Sequence, residues 1–406
     1  MSNHRFAERM SNLTASATRE ILKITERPEF ISFAGGLPAP EHFPVEELSE
    51  ITSQLLAEEG SRALQYAPTE GYRPLRAWIA DHMNAEWSTR VGVDDILITS
   101  GSQQGLDLTA KLFLDQGDCV ICESPTYLAA ISAFKIFRPR FVDVPADEEG
   151  MDLDILEKRL SIERPKLIYV VPNSQNPSGR TWSIERRREF MAIATRYEVP
   201  VVEDNAYGDI LLDVSSLPSL KAFDSTGGVV VLGTFSKIYC PGLRVGWLAA
   251  SQPMYEKYVI LKQAADIHTS IFVQMITARY LASGRFEPRL ERIRQTYRER
   301  RDAMLKALDE EMPPGVRYTR PAGGMFVWLD LPEGIDVRPL FQRCLEQKVA
   351  FVPGSPFFPA GGHHRTMRLS YSSMPPDRIR EGVRRLAAAI REMMAEGKAE
   401  RVALGA

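Results

Sequence analysis

The chain has 406 residues, 44% of them hydrophobic and 25% charged, the balance of a folded protein of roughly two or three domains. A formal net charge of −3 argues against a nucleic-acid surface. No apolar run reaches the roughly 18 residues that span a bilayer, and the start Met1-Ser2-Asn3-His4-Arg5 lacks a signal-peptide core, so the expected location is the cytoplasm.

The first forty or so residues read as an arm. A short helix is expected from about Thr14 to Thr25, with Arg19 on it, before Pro28. Ile31-Ser32-Phe33 then leads into Ala34-Gly35-Gly36-Leu37-Pro38, which fits either a turn or a backbone that approaches a ligand closely. An amphipathic helix is expected over roughly Val45 to Glu59, and Tyr66 follows in a loop punctuated by Pro68 and Gly71.

From Asp95 the rhythm becomes strand, turn, helix. Ile96-Leu97-Ile98-Thr99 is a strand, and Ser100-Gly101-Ser102-Gln103-Gln104-Gly105 turns into a helix reaching about Leu114. Unpaired N–H groups at that helix start suit a phosphate, to which Ser102 adds a hydroxyl, or Ser102 simply caps the helix. Strands follow at Cys119 to Ile121 and Arg140 to Val144, with Tyr127 just past the first, where a ring can stack on a flat ligand or pack in the core. Cys119 and Cys122 form a CxxC but point to opposite faces of a strand; with Cys240 and Cys344 isolated, all four are expected reduced, and the six histidines show no metal spacing.

Lys166 to Val171 is a buried strand that ends in the polar loop Pro172-Asn173-Ser174-Gln175-Asn176-Pro177-Ser178-Gly179, at the sheet edge where open α/β sheets bind ligands. Ser183 caps a helix to about Tyr197, and Val201-Val202-Glu203-Asp204 is the next strand. Asp204 at its apolar end must be paired or exposed. The run Val229-Val230-Val231-Leu232 is another buried strand, followed by Ser236-Lys237 and, after a Pro-Gly break, Arg244. A lysine desolvated at a strand end attacks carbonyls to form a Schiff base, and Ser236 with Arg244 suits an anion such as phosphate. The recurring βαβ order implies a mostly parallel sheet whose strand ends deliver Ser102, Tyr127, Asn176, Asp204 and Lys237 to one region. Long helical regions follow, about Pro253 to Ser283 and Glu287 to Glu311. Strands are then expected at Gly323 to Leu329 and Thr366 to Tyr371, before a final amphipathic helix from Pro375-Pro376.

With Asn176-Pro177, Asp204-Asn205-Ala206-Tyr207, Ser236-Lys237 and Arg244 in register, the chain resembles the fold-type I pyridoxal-phosphate aminotransferases. Ala34-Gly35-Gly36-Leu37-Pro38, Gln65-Tyr66-Ala67-Pro68-Thr69-Glu70-Gly71 and Ser100-Gly101-Ser102-Gln103-Gln104-Gly105 are similar to the branch holding 2-aminoadipate and kynurenine aminotransferases. The resemblance implies an α/β fold: a three-layer large domain with a mostly parallel sheet over 46–290, a smaller α+β domain over 291–406, and an arm over 1–45 that completes it. It implies that Lys237 binds pyridoxal 5′-phosphate covalently, that Asp204 keeps the pyridine nitrogen protonated, and that Tyr207 and Asn176 hydrogen-bond the ring hydroxyl while Tyr127 stacks on the ring. Ser102, Gln103, Ser236 and Arg244 would hold the phosphate, with Tyr66 from the partner subunit of a homodimer. Arg368 would clamp the substrate α-carboxylate beside Asn176 and the Gly36 backbone, and Arg19 matches an arginine that meets a distal carboxylate. The implied reaction is transfer of an amino group from an L-amino acid to a 2-oxo acid, with no metal, membrane or nucleic acid.

Two alternatives belong beside this reading. The same lysine and aspartate serve decarboxylation, oxidation or elimination on the same cofactor. Transcription regulators also exist whose effector domain resembles this branch, but they need a DNA-binding domain ahead of it, whereas here the arm starts almost at Met1.

Overall fold

The structure, a computed structural model, describes residues 5–10, 13 and 27–404. The expected helix from about Thr14 to Thr25, and Arg19 with it, lies outside those residues. In chain order the strands are β1 (Ile31–Ser32), β2 (Ile96–Thr99), β3 (Cys119–Ser124), β4 (Arg140–Asp147), β5 (Gly150–Met151), β6 (Pro165–Val170) and β7 (Val201–Asp204). They continue as β8 (Val229–Thr234), β9 (Gly246–Ala249), β10 (Arg317–Tyr318), β11 (Phe326–Asp330), β12 (Val349–Ala350), β13 (Val352–Pro353) and β14 (Thr366–Ser370).

Eight of these form one sheet in the order β2-β9-β8-β7-β6-β3-β4-β5. β8, β7, β6, β3 and β4 run parallel, whereas β9 is antiparallel to both its neighbours and β5 is antiparallel to β4. The parallel strands read as continuous apolar runs because both faces are covered; Val120, Ile121, Leu167, Ile168, Val202, Val230 and Val231 are fully buried. Helix Ser102–Phe113 packs on β8 and β9 and against helices Leu128–Lys135 and Met254–Asp266, while Leu153–Ile162 packs against Ile184–Arg196. The Ser183 side chain accepts from the Arg186 N–H, capping that last helix as expected. This arrangement is α/β with a mostly parallel sheet, and its geometry sends the ends of β2, β3, β6, β7 and β8 to one edge.

The other strands make an antiparallel sheet, β10-β11-β14-β13, and a parallel pair, β1 with β12. The Phe33 N–H donates to the Ala350 carbonyl at 2.7 Å, and the Ser370 N–H donates to the Phe33 carbonyl at 2.8 Å. Residues after β1 are thereby stitched between two segments from the far end of the chain. The final helix, Pro376–Leu404, packs on Phe286–Glu311 and on β1 and β12. Among the described residues no helix is long and apolar enough to cross a membrane, and all four cysteines are buried and unpaired.

Three departures from the sequence reading stand out. The expected single helical region from Pro253 to Ser283 is two helices, Met254–Asp266 and Ile271–Ala282. Helices Arg73–Glu86, Leu128–Lys135, Leu153–Ile162 and Val337–Glu346 were not anticipated. Ser102 is not a cap: Gly101 occupies the cap position and Ser102 is the first helical residue, which frees its hydroxyl.

Candidate active site

At the edge where those strand ends meet, the protein encloses a cavity of about 160 Å³. Ser102, Gln103, Tyr127, Asn176, Asp204, Tyr207, Ser236, Lys237 and Arg244 all line it, so strands far apart in sequence deliver nine of the expected residues to one place. Arg368 and Gly36 join at one remove. The Arg368 guanidinium donates to Asn176 Oδ1 at 2.8 Å and to the Ala34 carbonyl at 2.7 Å, and Lys237 Nζ donates to the Gly36 carbonyl at 2.8 Å. Tyr66 is not in the lining; it is 80% exposed, with its ring edge-on to His268. Arg19 lies outside the described residues.

One end of the cavity is built for an anion. Helix Ser102–Phe113 begins there; the Gln104 N–H donates to the Gly101 carbonyl at 3.1 Å, and helix geometry leaves those of Ser102 and Gln103 without an intrahelical acceptor. Ser236 Oγ accepts from the Thr234 hydroxyl at 2.9 Å and from Arg244 at 3.3 Å. Arg244 holds a left-handed backbone, φ 55 and ψ 46, a conformation uncommon outside glycine that tends to mark functional positions. Gly101 lets the arginine come close: its φ is 77 and ψ 164, a region nearly restricted to glycine, and a Cβ there would fall 2.4 Å from an Arg244 amino nitrogen. Gly101→Ala is therefore expected to displace Arg244 and weaken binding of a phosphorylated ligand about 10- to 100-fold, the worth of one charged hydrogen bond. Equilibrium dialysis with pyridoxal 5′-phosphate would read this, and unchanged affinity would refute the role given to Gly101.

The other end is desolvated. The cavity reaches Lys237, yet protein encloses its amine, so burial lowers its pKa to about 8, helped by the Arg368 and Arg244 charges and opposed by Asp204. Burial pushes Asp204 up to about 6; a hydrogen bond from Tyr169 pulls it down, the neighbouring Glu203 pushes it up and Lys237 pulls it down. Asp204 Oδ2 accepts from the Tyr169 hydroxyl at 2.8 Å, and Oδ1 is buried with no partner among the described residues. Burial raises the Tyr207 phenol, which accepts from Asn176 Nδ2 at 3.5 Å, and raises Tyr127 to about 12. Both remain neutral donors at ordinary pH.

Sequence reasoning missed several contributors. Tyr169 was a signal in itself, because a buried phenol in an apolar strand must bond something. Phe326 and Phe357 stack on the Arg368 guanidinium at 4.2 and 5.2 Å; they come from a strand and a turn with no marker beyond an aromatic ring. Thr234 and Ala206 line the cavity beside expected neighbours.

A buried carboxylate oxygen without a partner, an amine of lowered pKa and an anion cradle around one cavity fit pyridoxal 5′-phosphate, with its ring nitrogen, aldehyde and phosphate. Comparison with known proteins agrees. Residues 30–386 match the family model of aminotransferase class I and II. The chain is 48% identical over 395 residues to 2-aminoadipate transaminase of Thermus thermophilus, covering 96% of this chain and 97% of that protein. It is 44% identical over 394 residues to aromatic-amino-acid aminotransferase 1 of Thermococcus litoralis, covering 96% and 94%. Among solved structures, LysN, an α-aminoadipate aminotransferase from Thermus thermophilus complexed with N-(5′-phosphopyridoxyl)-L-leucine, superposes with a TM-score of 0.90 at 47% identity, over 96% of this chain and 98% of that one. The amine, the carboxylate and the anion cradle thus have their explanation in ancestry as well as in geometry: the chain belongs to the class I and II aminotransferases, enzymes that transfer amino groups with pyridoxal 5′-phosphate.

Proposed function

We propose that the donor is an L-amino acid of the 2-aminoadipate, aromatic or branched-chain type and that the acceptor is a 2-oxo acid, 2-oxoglutarate first among them. The observation that carries the reading is Lys237 and the unpartnered Asp204 Oδ1 meeting at one cavity; the names of the relatives support the donor range. When bound, pyridoxal 5′-phosphate supplies an aldehyde that takes up the amino group and a ring that withdraws electrons from the substrate Cα. Asp204 would accept the ring N–H, and Arg244, Ser236, Ser102 and Gln103 would hold the phosphate. Tyr127 would cover the ring, and Asn176 and Tyr207 would meet its hydroxyl. Arg368 takes the α-carboxylate: two of its five N–H donors serve Asn176 and Ala34, which leaves three for substrate. Lys237 Nζ removes the proton from the substrate Cα, and an amine with a pKa of about 8 is partly neutral near physiological pH, as a base there must be.

We take 46–290 as the cofactor-binding domain and 1–45 with 291–406 as the arm and smaller domain beside it, since the two larger sheets segregate along the chain in that way. Tyr66, exposed in the single chain, is read as reaching the phosphate of a second copy, which makes the working form a homodimer. Four unpaired buried cysteines support a cytoplasmic location.

The test is an absorbance spectrum of the purified protein during addition of 2-aminoadipate, glutamate, leucine and phenylalanine in turn. Conversion of the visible cofactor band to a near-ultraviolet band, reversed by 2-oxoglutarate, is expected. A cofactor that never interconverts with any donor would overturn transamination. Arg19→Ala is expected to weaken acidic donors while sparing aromatic ones; equal loss on both would remove Arg19 from substrate recognition.

A further inference from the structure

Asp204 presents its two oxygens unequally. Oδ2 is held at 2.8 Å by the Tyr169 hydroxyl, from the strand beside its own, and Oδ1 has no partner among the described residues. Tyr169 is itself fixed. It is 1% exposed, and Phe134, on the helix that follows Tyr127, meets its ring edge-on at 5.7 Å.

We propose that Tyr169 is a positioning residue for transamination: its hydroxyl pins Oδ2, which reserves Oδ1 for the cofactor ring nitrogen and keeps the carboxylate ionised against its burial. This rests on the reading of Asp204 as the partner of that nitrogen. The charged and titratable groups around the pair are Glu203 on the same strand, Lys237 after β8, Tyr127 and Tyr207 at the cavity, and Glu123 on β3. Of these influences on Asp204, the Tyr169 hydrogen bond is the largest that opposes burial, followed by the opposite pull of Glu203 and then by the help of Lys237. Burial and the Asp204 charge raise the Tyr169 phenol well above its ordinary value, so it remains a donor throughout the working pH range.

The experiment strips the full chain of cofactor and measures binding between about pH 5 and 9. It compares pyridoxal 5′-phosphate with its carbocyclic analogue, in which C–H replaces the ring nitrogen. The ratio of the two affinities isolates the ring-nitrogen contact, because both compounds share the phosphate, the aldehyde and Lys237. In the wild type the preference for the pyridine is expected to fall with decreasing pH as Asp204 protonates, with a midpoint near pH 6. In Tyr169→Phe, which deletes only the hydroxyl, that fall is expected about one to two pH units higher, with the preference at neutral pH reduced severalfold. An unmoved midpoint overturns the proposal, and so does an equal loss of affinity for both compounds, which is a packing effect. Should Tyr169→Phe fail to fold, 3-fluorotyrosine placed at 169 is a stronger donor of nearly the same volume and is expected to move the midpoint down; no movement again overturns it. Asp204→Asn separates the two claims: if the preference and its pH dependence survive that change, the reading of Asp204 fails, whatever Tyr169 does.

Discussion

Lys237→Ala is expected to fold, to bind pyridoxal 5′-phosphate without covalent attachment, and to lose turnover by about 10⁴-fold or more, the upper range for removal of a positioned proton-transfer group. Folding should survive because the side chain contributes little to stability. Its amine bonds the Gly36 carbonyl, but an enclosed ammonium costs free energy, which is why its pKa falls to about 8. The melting temperature should not drop. The wild type offers a companion measurement: only the neutral amine captures an aldehyde, so the rate of covalent cofactor uptake by stripped protein should rise as pH increases through about 8. A substantially active Lys237→Ala protein, or a rate of uptake independent of pH, would show that another amine does this work.

Arg368→Lys should cost about 10²- to 10³-fold in kcat/KM, within the range measured for losing a buried, hydrogen-bonded charge partner. Most of it should appear as a higher KM, because the carboxylate contact is present before and during reaction. Arg368 is 3% exposed, its guanidinium sits over the rings of Phe326 and Phe357 and uses two donors on Asn176 and Ala34 while its planar fork still offers more. An ammonium cannot stack in that slot or present two parallel N–H groups. Every amino acid has an α-carboxylate, so glutamate, leucine and phenylalanine should lose activity by similar factors. A loss confined to one donor would move Arg368 from the α-carboxylate to the side-chain pocket.

How much of this was visible in the sequence depends on where the determining contacts lie. The strands ending at Thr99, Val170, Asp204 and Thr234 are short β-branched runs followed by polar turns, and parallel connectivity brings such ends together. The cavity lining was legible for that reason. Helices Arg73–Glu86 and Val337–Glu346 were legible but passed over: Leu75, Ile79 and Met83 recur every four residues, and Asp336 caps the second helix by accepting from the Arg338 N–H. The break after Asp266 was not legible. Ile267-His268-Thr269-Ser270 holds no glycine or proline, and Ile267 takes a φ of 65, which a β-branched residue rarely does. Groups distant in sequence hold it: the Ala67 N–H donates to His268 Nε2 at 3.3 Å, and the Ser100 and Thr269 hydroxyls bond at 3.1 Å. The Tyr169–Asp204 bond hid for a similar reason, since it crosses 35 residues between neighbouring strands.

The stitching of Phe33 to Ala350 and Ser370 has a consequence for how the enzyme is born. A ribosome adding roughly 5–20 residues per second takes from about 16 s to about a minute to travel from Phe33 to Ala350. Throughout that interval the Ala34-Gly35-Gly36 segment has no docking partner, and the lysine that later bonds Gly36 faces an unfinished wall. The nascent chain can complete its large sheet once Ala249 has emerged, but it acquires a closed active site only near the end of translation. Premature termination between Ala249 and Ala350 therefore leaves Ala34-Gly35-Gly36 undocked and the cavity open, a product that should bind cofactor more weakly and be cleared by proteases more readily than the finished protein.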